Sequence, residues 1–259
     1  MMRALSTAGT GMIAQQLNLD TISNNLANVN TTGFKGQRAE FQDLVYQTFR
    51  DATTTASTSQ NASQVGLGSA LSATGSDFNE GALQNTSNPL DMAIIGNGFF
   101  QVTKPDGSLA YTRDGSFTQD VNGQLVTSDG YPIEPPITIP TNATSVTISN
   151  TGVVSAIIPG QTDPQQVGQI QLAVFPNPAG LTRAGQNLFT QSAASGTATL
   201  SDPGLNGAGE VNAGFLEGSN VQVVEEMVKM IMAQRAYEIN SKAIETSDQM
   251  LQTINSLKQ

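Results

Sequence analysis

Two stretches of seven-residue apolar periodicity stand at opposite ends of this 259-residue chain, and they constrain its fold more than any other feature. Between residues 3 and 29, Leu5, Met12, Leu19 and Leu26 are spaced seven apart, with Ala8, Ile22 and Val29 at intervening positions and Gln15 as the polar exception. Toward the other end Val223, Met230, Tyr237, Ile244 and Leu251 repeat the spacing, and Met227, Ala233 and Ile254 share their face, while Asn240 and Ser247 interrupt it. A seven-residue repeat draws one narrow apolar seam along a helix, the pattern by which helices coil together. Asn28, Asn30 and Gly33 supply the break after the first helix. Ser219 reads as the N-cap of the second, with Glu225 and Glu226 placing negative charge in its first turns and Lys258 positive charge in its last. Two seams are most economically satisfied by packing against each other. Their remaining apolar edges then call for neighbouring copies of the chain.

Between the seams the period changes. From Asp91 to Ile133 short apolar runs are punctuated by Pro105-Asp106-Gly107, Asp114-Gly115, Asn122-Gly123 and Asp129-Gly130, which is the chemistry of hairpin turns. Ser145–Ile148, Val153–Ile158 and Gln169–Phe175 read as further strands, with Pro159-Gly160 and Pro176–Gly180 as breaks. Asp51 to Gly75 is almost wholly Thr, Ser, Ala, Gln, Asn and Gly, the composition of a flexible linker, and only Val65, Leu67 and Leu71 hint at order. The expected class is α+β, in four segments. These are a helix and turn over 1–45, a polar insert over 46–81, a β-rich domain over 82–215 and a second helix over 216–259.

Composition narrows the function. The chain has no Cys, His or Trp, which removes thiol nucleophiles, imidazole bases and most transition-metal ligand sets. A net charge of −10 without a basic cluster argues against nucleic acid and against an anionic membrane face. No apolar run is long enough to span a bilayer, and the amino terminus lacks the apolar core of a cleaved signal peptide. The Asp-Gly pairs lack the spacing of a calcium loop, so no metal is expected. Gly96-Asn97-Gly98 lacks the third glycine of a dinucleotide fingerprint and leads into a strand, so it reads as a tight turn and no cofactor is expected. Glu134, Asp202 and Glu210 could be imagined as a glycosidase acid pair, but nothing in their pattern recommends it.

Two long segments carry a resemblance. Asp20-Thr21-Ile22-Ser23-Asn24-Asn25-Leu26-Ala27-Asn28-Val29-Asn30-Thr31-Thr32-Gly33-Phe34-Lys35 resembles the amino-terminal signature of the bacterial flagellar rod and hook proteins. Leu216-Glu217-Gly218-Ser219-Asn220-Val221, continuing through Gln234-Arg235-Ala236-Tyr237-Glu238 to Leu251, is similar to that family's carboxy-terminal signature. Gly96–Phe100, Tyr111–Gly115, Gly168–Ile170 and Phe175–Leu181 add to the likeness, which thus covers most of the chain. Chain length and the insert from Tyr46 to Gly81 point to the distal-rod branch of the family.

The resemblance implies a structural subunit and no enzyme. Such a subunit leaves the cell through the flagellar type III apparatus, keeps its amino terminus, and polymerises as a helical tube that spans the periplasm and carries torque from motor to hook. The terminal helices would form an inner coiled-coil layer beneath the all-β domain, and the insert would order on assembly. Expected partners are further copies, the proximal-rod and hook axial proteins, and the surrounding periplasmic and outer-membrane ring proteins, with no direct membrane insertion. The expected assembly seam comprises Leu5, Met12, Leu19, Ile22, Leu26, Val223, Met230, Tyr237, Ile244 and Leu251, with Asn24, Asn25 and Asn28 as polar contacts. A hook or proximal-rod subunit is the alternative within the family. A secreted β-rich binding module or adhesin is the alternative outside it, and it leaves the paired terminal heptads unexplained.

Overall fold

A computed structural model describes residues 2–50, 63–160 and 163–256. The protein is a mixed α+β molecule with two compact units. The first comprises Met1–Ala27, Gln37–Ser76 and Gln222–Gln259, and the second comprises Asn28–Gly36 and Asp77–Val221.

The first unit contains helix α1 (Met2–Ala27), strands β1 (Gln37–Asp43), β2 (Tyr46–Arg50), β3 (Ser63–Gly66) and β4 (Ser69–Ser76), and helix α2 (Val223–Ser256). Neither helix contains proline; α1 is rich in Ala and Leu and α2 in Met, Glu, Gln and Ala, residues that lose little side-chain freedom in a helix. At 34 residues α2 is about 51 Å long, far beyond the ordinary helix of a globular domain. Past the end of α1 the Thr31 amide donates to the Asn28 carbonyl at 3.2 Å, and Gly33 takes φ +65°. The second helix starts four residues after Ser219, whose hydroxyl oxygen instead accepts the Val221 amide at 3.3 Å. Ser219 is therefore not its N-cap: the Gln222 carbonyl accepts the Glu226 amide at 3.0 Å, and Asn220, beside Ser219, is drawn into other bonds described below. Glu225 and Glu226 do lie in the first turn, where the helix dipole favours them. Lys258 lies outside the described residues.

The polar stretch is more regular than its composition suggests. β4 pairs antiparallel with β1 from Gln37↔Ser76 to Asp43↔Ser69, with a bulge at Glu40/Phe41, and β3 pairs with β2. Residues 51–62 of the expected linker lie outside the described residues, but 63–66 and 69–76 are strands. Ser, Thr and Ala lack the apolar alternation that announces a strand, yet they pair readily once a partner is supplied, and composition cannot reveal the partner.

The second unit is all β apart from one short 3₁₀ turn at Pro178–Gly180. In chain order its strands are β5 (Leu83–Asn85), β6 (Met92–Ile95), β7 (Phe99–Thr103), β8 (Leu109–Thr112), β9 (Phe117–Gln119), β10 (Leu125–Thr127), β11 (Ser145–Ile148), β12 (Val153–Ile157), β13 (Gln165–Gln169), β14 (Leu172–Val174), β15 (Thr182–Gly185), β16 (Leu188–Thr190), β17 (Thr199–Ser201), β18 (Glu210–Ala213) and β19 (Phe215–Glu217). A six-stranded antiparallel sheet runs β15-β16-β8-β7-β14-β17, and a three-stranded one runs β11-β12-β13. β6 pairs with β18 and β5 with β19.

The core alternates as a half-buried pleat requires. Phe100 faces Phe117 edge to face at 5.1 Å in a cluster with Met92, Ile94, Leu125 and Val211, while Phe99, Tyr111 and Phe175 form a second cluster on the other side of β7. Turns at Gly107, Gly123 and Gly130 close as their sequences predict, each glycine amide bonding three residues back. Asp114-Gly115 is different. Gly115 packs against the Met92 carbonyl so closely that a Cβ would stand 1.5 Å from its oxygen, and the Asp114 carboxylate accepts the Ser116 amide and hydroxyl. The pair marks a close backbone approach and not a hairpin.

Candidate functional site: a buried ionic clasp and a two-helix seam

The two sequence signatures meet in the second unit. Lys35 is wholly buried, and its ammonium donates to Glu217 Oε1 at 2.5 Å and to the Asn79 carbonyl at 2.8 Å. Arg113, also buried, donates to Glu217 Oε2 and to the Ile94 carbonyl, each at 3.3 Å, and to the Gly96 carbonyl at 2.6 Å. The Gly81 amide adds a bond to Glu217 Oε1 at 3.0 Å, and the Gly33 amide donates to the Glu217 carbonyl at 2.8 Å. One carboxylate thus joins four separate parts of the chain. Burial pushes the Lys35 and Arg113 pKa values down, and the Glu217 charge opposes that shift in both.

Asn220 extends the clasp. Its side-chain oxygen accepts the Gly36 amide at 2.8 Å, and its nitrogen donates to the carbonyls of Asp77 at 2.9 Å and Asn79 at 3.3 Å. The Arg183 guanidinium lies over the rings of Phe34 and Phe189, 5.1 and 5.4 Å from their centroids, and donates to the Lys35 carbonyl. Gly33 must be glycine, because a Cβ there would stand 2.6 Å from the Asp114 nitrogen and φ is positive. Sequence reasoning quoted Gly33-Phe34-Lys35, Arg113 and Glu217-Gly218-Ser219-Asn220 only as marks of likeness. The available signal was charge: Lys35 is the sole cation of the first signature that could meet the glutamate of the second.

In the first unit α1 and α2 run antiparallel. Asn25 Nδ2 donates to Glu226 Oε2 at 3.2 Å, and fourteen residues back along α1 Gly11 lies beside Asn240, fourteen residues forward along α2. The Asn25 side chain also donates to the Gln37 carbonyl and accepts the Gln37 amide, each at 2.8 Å, and Glu226 Oε1 accepts Lys229 Nζ at 2.7 Å. Of the expected seam residues Ile22 is buried, and Leu5, Met12, Leu19, Leu26, Met230, Ile244 and Leu251 are half-buried. Val223 and Tyr237 are each 40% exposed. Among the asparagines Asn25 is buried, Asn28 is half-buried and accepts the Thr31 hydroxyl, and Asn24 is exposed.

A different row of α2 lies deepest. Glu226, Ala233 and Ser247 are buried, and Asn240, completing a seven-residue spacing with them, is half-buried against Gly11. Facing residues of α1 are also small, with Ala8 and Ala14 buried. Small side chains let two helix backbones approach closely, and Asn240 and Ser247, which read as interruptions of the apolar seam, share this deepest row with Ala233. Apolar residues elsewhere on the helices stay exposed: Val224 at 75%, Met232 at 66%, Ile13 at 62% and Ile231 at 51%.

The carboxylates weighed as an acid pair serve local bonds or none: Glu134 accepts from Thr103 at 3.3 Å, Asp202 accepts from Gln171 at 3.2 Å, and Glu210 is exposed at the start of β18. Among the described residues no group of three or more Cys, Asp or Glu is placed to hold a metal ion, and no helix is long and apolar enough to cross a membrane.

Three family descriptions match the chain: flagella basal body rod protein over residues 5–35, flagellar hook protein FlgE/F/G D1 domain over 93–156, and flagellar basal body rod FlgEFG protein C-terminal over 212–257. Together with the clasp that joins the matched segments, they define the class as the rod and hook proteins of the bacterial flagellum. The chain is 52% identical to the flagellar basal-body rod protein FlgG of Borreliella burgdorferi, covering all of this chain and 99% of that one. It is 51% identical to the FlgG of Caulobacter vibrioides over 99% of this chain and all of the relative, and 43% identical to that of Bacillus subtilis over both full lengths. The chain belongs to the FlgG family of flagellar basal-body rod proteins, and it is a structural rod subunit of the flagellar basal body.

Proposed function

We propose that this subunit polymerises into the distal part of the rod as a helical tube, spans the periplasm, and transmits torque from motor to hook. The observation that carries this reading is the apolar surface left open on two long helices, with Val224, Ile231 and Met232 of α2 and Ile13 of α1 all at least half exposed. Exposed apolar surface of that extent on one element marks a place for a partner, and a repeated contact between unlike faces of one subunit builds an open-ended tube. On this reading α1 and α2 pair as a coiled coil within each subunit and join those of neighbouring copies in an inner layer, with Leu5, Met12, Leu19, Ile22, Leu26, Met230, Ile244 and Leu251 in its seams. The insert over 46–81 completes its order on assembly, and the β-rich unit forms the outer layer.

The partners on this reading are proximal-rod and hook proteins at the two ends of the tube and the periplasmic and outer-membrane rings around it. The subunit performs no catalysis, and it is exported through the flagellar type III apparatus without loss of a signal peptide. Electron microscopy of the purified chain at raised concentration, beside a variant lacking residues 220–259, tests polymerisation. Straight tubes from the intact chain alone are expected. Monodisperse particles from both, each with a folded β unit, would overturn self-assembly.

A further inference from the structure

β5 and β6 are the first strands of the second unit, yet among the described residues each pairs with a strand at the unit's far end, β19 and β18 respectively. Met92 is in register with Ala213 and Ile94 with Val211, and Met92, Ile94 and Val211 are sealed within the main core cluster. The clasp repeats the arrangement, since Gly33, Lys35 and Gly81 all bond to Glu217. By contrast, the six-stranded sheet is complete within residues 99–201.

We propose that residues 210–220 act as a latch, so that residues 28–36 and strands β5 and β6 stay undocked until this last segment arrives. Before it arrives, docking would bury Lys35 and Arg113 without Glu217, the one carboxylate among the described residues that hydrogen-bonds both. It would also leave backbone groups of β6 without partners inside an apolar core. Each alone opposes docking, and together they make the amino-terminal arm of the unit wait for the carboxy-terminal one. A chain delivered amino end first, from a ribosome or through an export channel, therefore keeps this arm extended until residue 217 has emerged. Only the export channel rests on the rod reading; the folding order does not.

Pulsed hydrogen exchange during refolding of the intact chain, read by mass spectrometry, tests the latch. Amides of Met92–Ile95 should gain protection in the same step as those of Glu210–Glu217. In Glu217→Ala that step should slow by more than about tenfold or vanish, while protection across Phe99–Thr103 and Leu109–Thr112 is kept. Protection of Met92–Ile95 while Glu210–Glu217 still exchanges freely would overturn the proposal, as would an unchanged rate in Glu217→Ala. Absence of tubes from the same preparation would count against the rod reading and leave this result standing.

Discussion

The two units solve burial in opposite ways. The β unit sinks Met92, Phe100, Phe117 and Val211 to within 1% of full burial and holds its buried charges in an ionic cluster around Glu217. The helical unit buries alanine, serine, one asparagine, one glutamate and one isoleucine while leaving larger apolar side chains such as Val224 and Met232 in solvent. A domain that completes its own core needs no neighbour. A pair of long helices that spends its small residues on the intramolecular contact leaves its large ones open, the surface that the proposed assembly would cover.

The sharpest way to break this contrast is to charge the open helix face. Val224→Asp combined with Ile231→Asp should abolish tubes in the electron microscope while the urea transition of the β unit keeps its midpoint; tubes from this variant would show that the face is not an interface. Next in size is the clasp. Glu217→Ala strands two buried cations and should destabilise the β unit by about 3–5 kcal/mol in urea unfolding, with the helical content of the first unit unchanged.

Gly33→Ala should cost about 1–3 kcal/mol in the same assay, since it forces a Cβ into the Asp114 backbone at positive φ. In the helical unit Asn25→Ala removes both Gln37 bonds and one partner of Glu226, an expected loss of about 1–3 kcal/mol read from thermal melting at 222 nm. If Asn25→Ala proved as damaging as Glu217→Ala, the helical unit would depend on its buried polar node as much as the β unit does on its clasp.

The smallest effect is a pH slope. Burial holds the Lys35 pKa below the ordinary 10.5, so between those two values the unfolded chain binds a proton that the folded chain has released. The Lys35 contribution to stability therefore rises with pH across that window. Lys35→Met should flatten the slope, and an unaltered slope in parallel urea titrations would show that Lys35 does not set it.

Much of this architecture was legible beforehand. Both helices, the break at Asn28, the β character of 91–175 and the glycine turns at 107, 123 and 130 follow from periodicity and turn chemistry, which are local properties. The misreadings were all decided at a distance. Asp114-Gly115 looked like a hairpin turn, but what Gly115 answers to is the Met92 carbonyl. Ser219 looked like a cap because nothing nearby shows that Asn220 is engaged by Gly36, Asp77 and Asn79. The described part of the expected linker, 63–75, looked unstructured because its partners, β1 and β2, lie outside it.

The seam shows the division most clearly. By itself the sequence determined that each end of the chain is a helix with a seven-residue stripe, because spacing along one helix fixes which residues share a face. It also carried the family likeness in its two signatures. Only the tertiary structure decided which stripe meets the other helix, since that choice depends on how closely two backbones can approach, and Gly11, Ala14 and Ala233 permit what the larger row does not. Only the tertiary structure brought Lys35, Arg113 and Glu217 to one point, because a buried charge selects its partner through the low dielectric of a shared interior and not through proximity along the chain.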